Sequence, residues 1–100
     1  MQTGCIDPYC VYITSNPGRT TFYIGVTNDL KRRISEHQEN RGKKETFAGR
    51  YFCYELLYYE CYPEMKMAIN RENEIKDLSR EKKLDLIKTQ NPKMRKLLPE

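Results

Sequence analysis

The chain is short of the residues that most readily announce a function. It has one histidine, His37, and its four cysteines, Cys5, Cys10, Cys53 and Cys61, match no paired C-x-x-C spacing, which excludes an ordinary zinc module. No window approaches the ~18 consecutive apolar residues of a membrane span. Met1-Gln2-Thr3-Gly4 lacks the basic-then-apolar pattern of a signal peptide, so the expected location is the cytoplasm. There the cysteines read as reduced, buried thiols, with a disulfide from Cys5 or Cys10 to a later cysteine as the alternative. Internal repeats and low-complexity segments are also missing. At 100 residues there is room for one domain, residues 1–100, with one sheet layer and two or three helices, and none for a second. Eighteen Lys and Arg against 14 Asp and Glu give a net charge of +4. The excess is local. Lys31 to Lys44 carries three Lys and three Arg against two Glu, a bias that suits a polyanionic partner.

What the chain does have is alternation. Tyr9, Val11 and Ile13 point one way and Cys10, Tyr12 and Thr14 the other, which predicts a strand. Ser15-Asn16-Pro17-Gly18 is a turn, and Thr20 to Val26 reads as the return strand of a hairpin. With Pro17 and Gly18 at the loop centre, residues whose numbers sum to 35 are opposed. Ile13 then faces Phe22, Val11 faces Ile24, and Tyr12 faces Tyr23. The apolar set falls on one face and the two tyrosines on the other. Gly25, with no side chain, suits close approach beside Tyr23. Tyrosine is also simply a good strand residue.

Thr27-Asn28-Asp29 is a capping cluster that opens a helix over about Asp29 to Asn40. Leu30 and Ile34 form its inward seam, while Arg33 and His37, four apart, share a neighbouring face. Residues 41–50 follow, polar and basic without period. They form either a solvated connection or an arm that contacts phosphates. Tyr51 to Tyr62 is the third strand, closed by Pro63; apolar residues on both parities suit a central strand covered on both sides or one with a bulge. Glu64 to about Leu78 is a helix with Met65, Ala68, Ile69 and Ile75 as its apolar stripe, and Glu72 falls near the stripe's centre. A carboxylate there needs a cation, donors or a metal. Its structural alternative is an internal salt bridge. A last helix, about Arg80 to Lys88, is stopped by Asn91-Pro92, and a tail follows that can pack back through Met94, Leu97 and Leu98.

The unusual polar residues are therefore Tyr12, Tyr23, Arg33, His37 and Glu72. In this order, with Tyr23-Ile24-Gly25 and Val11-Tyr12-Ile13, the run G-V-T-N-D-L-K-R-R-I-S-E-H and the later A-I-N-R-E-N-E-I-K followed by N-P, the chain resembles the GIY-YIG nuclease family, in particular its small stand-alone members. The resemblance covers about residues 9–92. It implies an α+β fold, a small three-stranded antiparallel β-sheet flanked by about three α-helices. It implies hydrolysis of DNA phosphodiesters with one divalent metal, in DNA repair or the processing of structured DNA. Tyr12, Tyr23, Arg33 and Glu72 match the family's catalytic positions, Gly25 its structural glycine, and His37 a histidine used by some branches. Two departures stand out. Only the tyrosine of the first motif is kept, and Val26 stands where some repair members carry lysine.

The chemistry also follows from the residue types. Phosphodiester cleavage needs an activated nucleophile, charge for the nonbridging oxygens and help for the leaving oxygen. Glu72 would hold Mg²⁺ or Mn²⁺, one ion, and Arg33 would take the nonbridging oxygens in a forked pair of hydrogen bonds. Tyr12 or Tyr23 would serve as general base, with Tyr12 favoured. A phenol with pKa ~10 is ionised about one part in a thousand at neutral pH, so it needs assistance worth up to ~4 kcal/mol. Lys31, Arg32, Lys43, Lys44 and Arg50 are the candidate DNA contacts. Specificity would have to come from the 41–50 loop, a homodimer or an accessory protein. Two rivals remain: a catalytically inactive nucleic-acid-binding module of the same fold, and an interaction protein that presents Tyr51 to Tyr62 as an open sheet edge.

Overall fold

A computed structural model describes residues 7–43, 49 and 51–97. The strands are β1 (Tyr9–Ser15), β2 (Phe22–Thr27) and β3 (Glu55–Tyr62); the helices are α1 (Leu30–Glu39), α2 (Met65–Lys76) and α3 (Arg80–Gln90). The sheet is antiparallel with order β2-β1-β3, which puts the tyrosine-bearing β1 in the centre. This is the α+β architecture that the alternation and the two helical periods require.

The hairpin register differs from the expected one. Val11 opposes Val26, Tyr12 opposes Gly25, and Ile13 opposes Ile24, so paired numbers sum to 37 rather than 35. The loop is longer than a two-residue turn. Asn16 organises it, its Oδ1 accepting from the Thr20 and Thr21 backbone N–H groups at 2.9 and 3.0 Å. A slip of two residues leaves every side chain on its expected face, because the strand period is also two.

The two faces are covered differently. On one, Val11, Ile13, Ile24, Leu57, Tyr58, Ile75 and Ile87 form the main core, so α2 and α3 lie on this side. On the other, Tyr12 and Leu56 pack with Ile34 of α1, flanked by Tyr23, Leu30, Tyr59 and Leu97. The register shift between Ile13 and Thr14 is a bulge in β3 at Leu57, and it puts the neighbours Leu57 and Tyr58 on the same, main-core face. That bulge accounts for the apolar residues on both parities. β3 is an edge strand, not a central one.

The edge is not open. The Gln90 side chain accepts from the Tyr59 N–H at 3.1 Å and donates to the Tyr59 carbonyl at 2.9 Å. Buried Asn91 donates to the Leu57 carbonyl at 3.0 Å and holds the returning tail at Arg95, and the Leu97 N–H donates to the Leu56 carbonyl at 2.7 Å. A strand edge blunted this way is no template for another chain, which removes the ground for the interaction-protein reading.

The expectation of free thiols is also corrected. Register places Cys10 directly opposite Cys61, and the two form a disulfide that ties β1 to β3 on the tyrosine face. Cys53 is a buried free thiol, its pKa raised by burial, donating to the Thr21 carbonyl. Cys5 lies outside the described residues. Among the described residues no helix is long and apolar enough to cross a membrane.

Candidate active site

Four of the five expected site residues meet on the α1 side of the sheet. Tyr12 is presented by the central strand and is buried, 1% exposed. Its ring lies beside those of Tyr23 and His37, with centroids 6.2 and 5.7 Å away, and the Tyr23 and His37 centroids are 5.4 Å apart. α1 is aimed by its N-terminus. The Thr27 hydroxyl accepts from the Asp29 N–H at 3.0 Å, and Asp29 caps the helix by accepting from the Arg32 N–H at 3.2 Å. With Leu30 and Ile34 packed on the sheet, Arg33 and His37 are carried to the Tyr12 hydroxyl.

The hydrogen bonding at that hydroxyl is directional. Arg33 Nε donates to Tyr12 Oη at 3.3 Å, and Tyr12 Oη lies 2.9 Å from His37 Nε2. Arg33 can only donate, so the hydroxyl is free to give its own hydrogen to His37 Nε2 in the neutral tautomer that carries its proton at Nδ1. Electrostatics agree. Burial, and then the Arg33 charge, lower the His37 pKa to about 4. Tyr12 is pushed well above the usual phenol range, first by burial and then by the Tyr23 phenol. The Arg33 hydrogen bond and charge oppose that shift and do not reverse it. Tyr12 as it stands is thus a phenol at neutral pH and no ready base.

Gly25 is required by contact, not by backbone strain. A Cβ built there would stand 2.6 Å from Tyr12 Oη, 2.8 Å from Tyr12 Cζ and 3.0 Å from Tyr23 Cε2. The absent side chain is the space the Tyr12 phenol occupies.

Glu72 departs from expectation in its surroundings. Ala68 and Ile75 are the residues of α2 that bury completely, whereas Met65, Met67 and Ile69 are 38%, 42% and 42% exposed. The buried seam runs through Ala68 and Ile75, with Arg71 on one flank and Glu72 on the other, their side chains 29% and 19% exposed. Its partner is Lys76 on its own helix, at 3.3 Å and half exposed. An exposed i, i+4 pair is worth only about 0.3–0.5 kcal/mol, so the carboxylate remains available. The Glu72 charge is also felt at the Tyr12 phenol, where it adds to the upward shift. The acid is therefore coupled to the tyrosine group electrostatically.

Several partners were not expected. Glu36 accepts from Arg33 Nη1 at 3.0 Å, an i, i+3 contact that helical spacing alone would have shown. Glu60, Tyr58, Tyr62 and Arg71 form a polar cluster on the opposite face of the sheet. Its signal was the period-two run Tyr58, Glu60, Tyr62. Lys31, Arg32 and Lys43 are exposed, and the Arg32 guanidinium lies 3.9 Å from both Asp29 and Glu36. Lys44 and Arg50 lie outside the described residues. Among the described residues no group of three or more His, Cys, Asp or Glu is placed to hold a metal. A site with one carboxylate matches only an ion that keeps most of its shell as water and substrate oxygens, as Mg²⁺ does.

A three-stranded antiparallel sheet that sets two tyrosines against an arginine helix, with one acid on a later helix, is a nuclease-type fold. The GIY-YIG catalytic domain model matches residues 8–85, and the chain belongs to that family. A UPF0213 protein of Haloquadratum walsbyi is 39% identical over 80 residues, covering 80% of this chain and 86% of that protein. One from Staphylococcus saprophyticus is 35% identical over 82 residues, covering 82% and 96%. The solution NMR structure of a UPF0213 protein from Bacillus halodurans superimposes with a TM-score of 0.54 at 33% identity, covering 85% of this chain and 87% of that one. The family in general consists of endonucleases.

Proposed function

We propose that this chain is a metal-dependent DNA endonuclease that hydrolyses phosphodiester bonds, with structured or branched DNA in repair or processing as its substrate. The observation that carries the reading is the buried Tyr12 hydroxyl, bonded at once to Arg33 and to His37 Nε2 and within the electrostatic reach of Glu72. Packing alone would not set a guanidinium and a neutral imidazole on one phenol.

In this reading Arg33 turns its outer nitrogens from Glu36 to the nonbridging oxygens of the scissile phosphate. Tyr12 gives its proton to His37 Nε2 as it takes one from the attacking water, so the phenol never has to exist as a free phenolate. The phosphate's negative charge offsets that of Arg33 and draws the His37 pKa upward, which makes the imidazole a better acceptor when substrate is present. Tyr23, tilted against Tyr12 and edge-on to His37, orients the water or the phosphate. Glu72 would hold the one Mg²⁺ or Mn²⁺, which lowers the pKa of a nearby water and neutralises charge on the leaving oxygen. Lys31, Arg32 and Lys43 are exposed and would make the backbone contacts.

The test is a comparison of nicking on branched and on plain duplex DNA with Mg²⁺ or Mn²⁺, alongside Glu72→Ala and Arg33→Ala. The reading expects cleavage by the unmodified protein and a loss of about 100-fold or more in both variants. Equal activity in all three would mean a contaminant. Salt-sensitive binding without cleavage would make the chain a binding module instead.

A further inference from the structure

We infer that Arg71, through its bidentate pairing with Glu60, is a positioning residue that fixes the rotation of α2 and so aims Glu72 at the site; this rests on the nuclease reading above. Arg71 Nε donates to Glu60 Oε1 at 2.9 Å and Arg71 Nη2 to Glu60 Oε2 at 3.0 Å. The hydroxyls of Tyr58 and Tyr62 donate to the same carboxylate, one to each oxygen. Glu60 thus receives four donors and has no freedom left, and its place in β3 opposite Val11 anchors it to the sheet.

Arg71 lies three residues beyond Ala68 and four before Ile75, on the flank of the inward seam opposite Glu72. The neighbours it has are a small Ala and a single Ile, since Met65, Met67 and Ile69 are exposed. Ridges of that kind resist rolling poorly, whereas a fork of two parallel hydrogen bonds resists it well. Glu72 follows Arg71 directly, about 100° round the helix. Its Lys76 contact lies on the same helix and cannot fix its direction. A roll of about 15° at a radius of about 5–6 Å would carry the carboxylate about 1.5 Å, far outside the ~0.2 Å tolerance of a metal–oxygen distance.

The experiment is an NMR titration of the full chain with Mn²⁺ alone, following the broadening of the Tyr12 and Tyr23 ring signals. It is run on the unmodified protein, Glu72→Ala, Arg71→Lys, Arg71→Met and Glu60→Gln, each with a thermal melt. Expected are Glu72-dependent broadening, a midpoint raised about tenfold in Arg71→Met and Glu60→Gln, and partial recovery in Arg71→Lys. A purely structural tie would lower the melting temperature and leave the midpoint of the still-folded protein unchanged, which overturns the inference and leaves the nuclease reading standing. Failure of all the Arg71 and Glu60 variants to fold would overturn it in the same way. Broadening that persists unchanged in Glu72→Ala overturns the metal assignment itself, and the inference with it.

Discussion

Replacing Gly25 by Ala adds one methyl group, and its consequences can be worked from distances. The new Cβ would begin 2.6 Å from Tyr12 Oη, and ordinary contact starts at 3.4 Å, so the phenol must withdraw by about 0.8 Å. The bonds it would stretch are 2.9 Å to His37 and an already long 3.3 Å to Arg33, and at least one of them is then lost. Overpacking of this kind costs about 1–3 kcal/mol, in spite of the small gain from removing a strand glycine. The melting temperature of so small a domain should fall by about 4–8 °C for each kcal/mol. Displacement by about 1 Å should slow single-turnover cleavage by about 100-fold, with little change in KM for DNA. Adding Tyr12→Phe removes the nearest contact, so the double variant should be more stable than the sum of the two single changes implies. Gly25→Ala with unmodified stability and rate would refute the claim that Tyr12 fills the space of the missing side chain.

Protons, sulfur and charge each offer a further test. His37 has a folded pKa of about 4 against an unfolded 6.5, so its contribution to stability is complete above about pH 6.5 and lost as pH falls toward 4. That contribution is roughly 3 kcal/mol, and the ring-proton shifts in NMR should titrate near 4; a midpoint at 6.5 or above contradicts the hydrogen-bond assignment. Glu60 is affected first by burial, which raises its pKa, but the Arg71 and tyrosine hydrogen bonds hold it below the usual carboxylate range. Glu60→Gln should therefore flatten the stability loss in the more acidic range, below the unfolded carboxylate pKa, as seen by urea unfolding at several pH values. Cys10 and Cys61 close a loop with a sequence separation of 51, and loop-closure entropy gives up to about 4 kcal/mol. Reductant or Cys61→Ser should lower the urea midpoint; an unchanged midpoint would mean the bridge constrains nothing. Arg33→Lys keeps the charge but loses the fork, so cleavage should fall at least about tenfold while binding to DNA weakens little; equal losses in both would make Arg33 a plain phosphate contact.

The parts of the structure legible in the sequence were those set by a period. Alternation in Tyr9–Ser15 and Phe22–Thr27 assigned Tyr12 and Tyr23 to one face even though the register was off by two, because a slip of two changes partners and not faces. The four-residue spacing of Leu30 with Ile34 and of Arg33 with His37 did the same for α1. What escaped was set by distant partners. The stripe of Met65, Ala68, Ile69 and Ile75 predicts a core face, but Ala68 and Ile75 alone of these bury, while Met65 and Ile69 are exposed and the seam is flanked by Arg71, drawn to Glu60 on β3, and by Glu72. Nothing local reveals that Cys10 meets Cys61, since their adjacency is a matter of strand register across 51 residues. The bulge in β3 was one of two explanations for its mixed parity, and only the pairing with β1 decides between them.

The central claim is that Glu72 and the Tyr12 hydroxyl serve one reaction. Single-turnover nicking of supercoiled plasmid across a Mg²⁺ titration, with the unmodified protein beside Glu72→Ala and Tyr12→Phe, tests this most directly. Saturable Mg²⁺ dependence is expected in the unmodified protein, with both variants slowed by about 100-fold or more and the double variant scarcely slower than either. Losses that multiply in the double variant, or cleavage by Glu72→Ala at the unmodified rate, would contradict it.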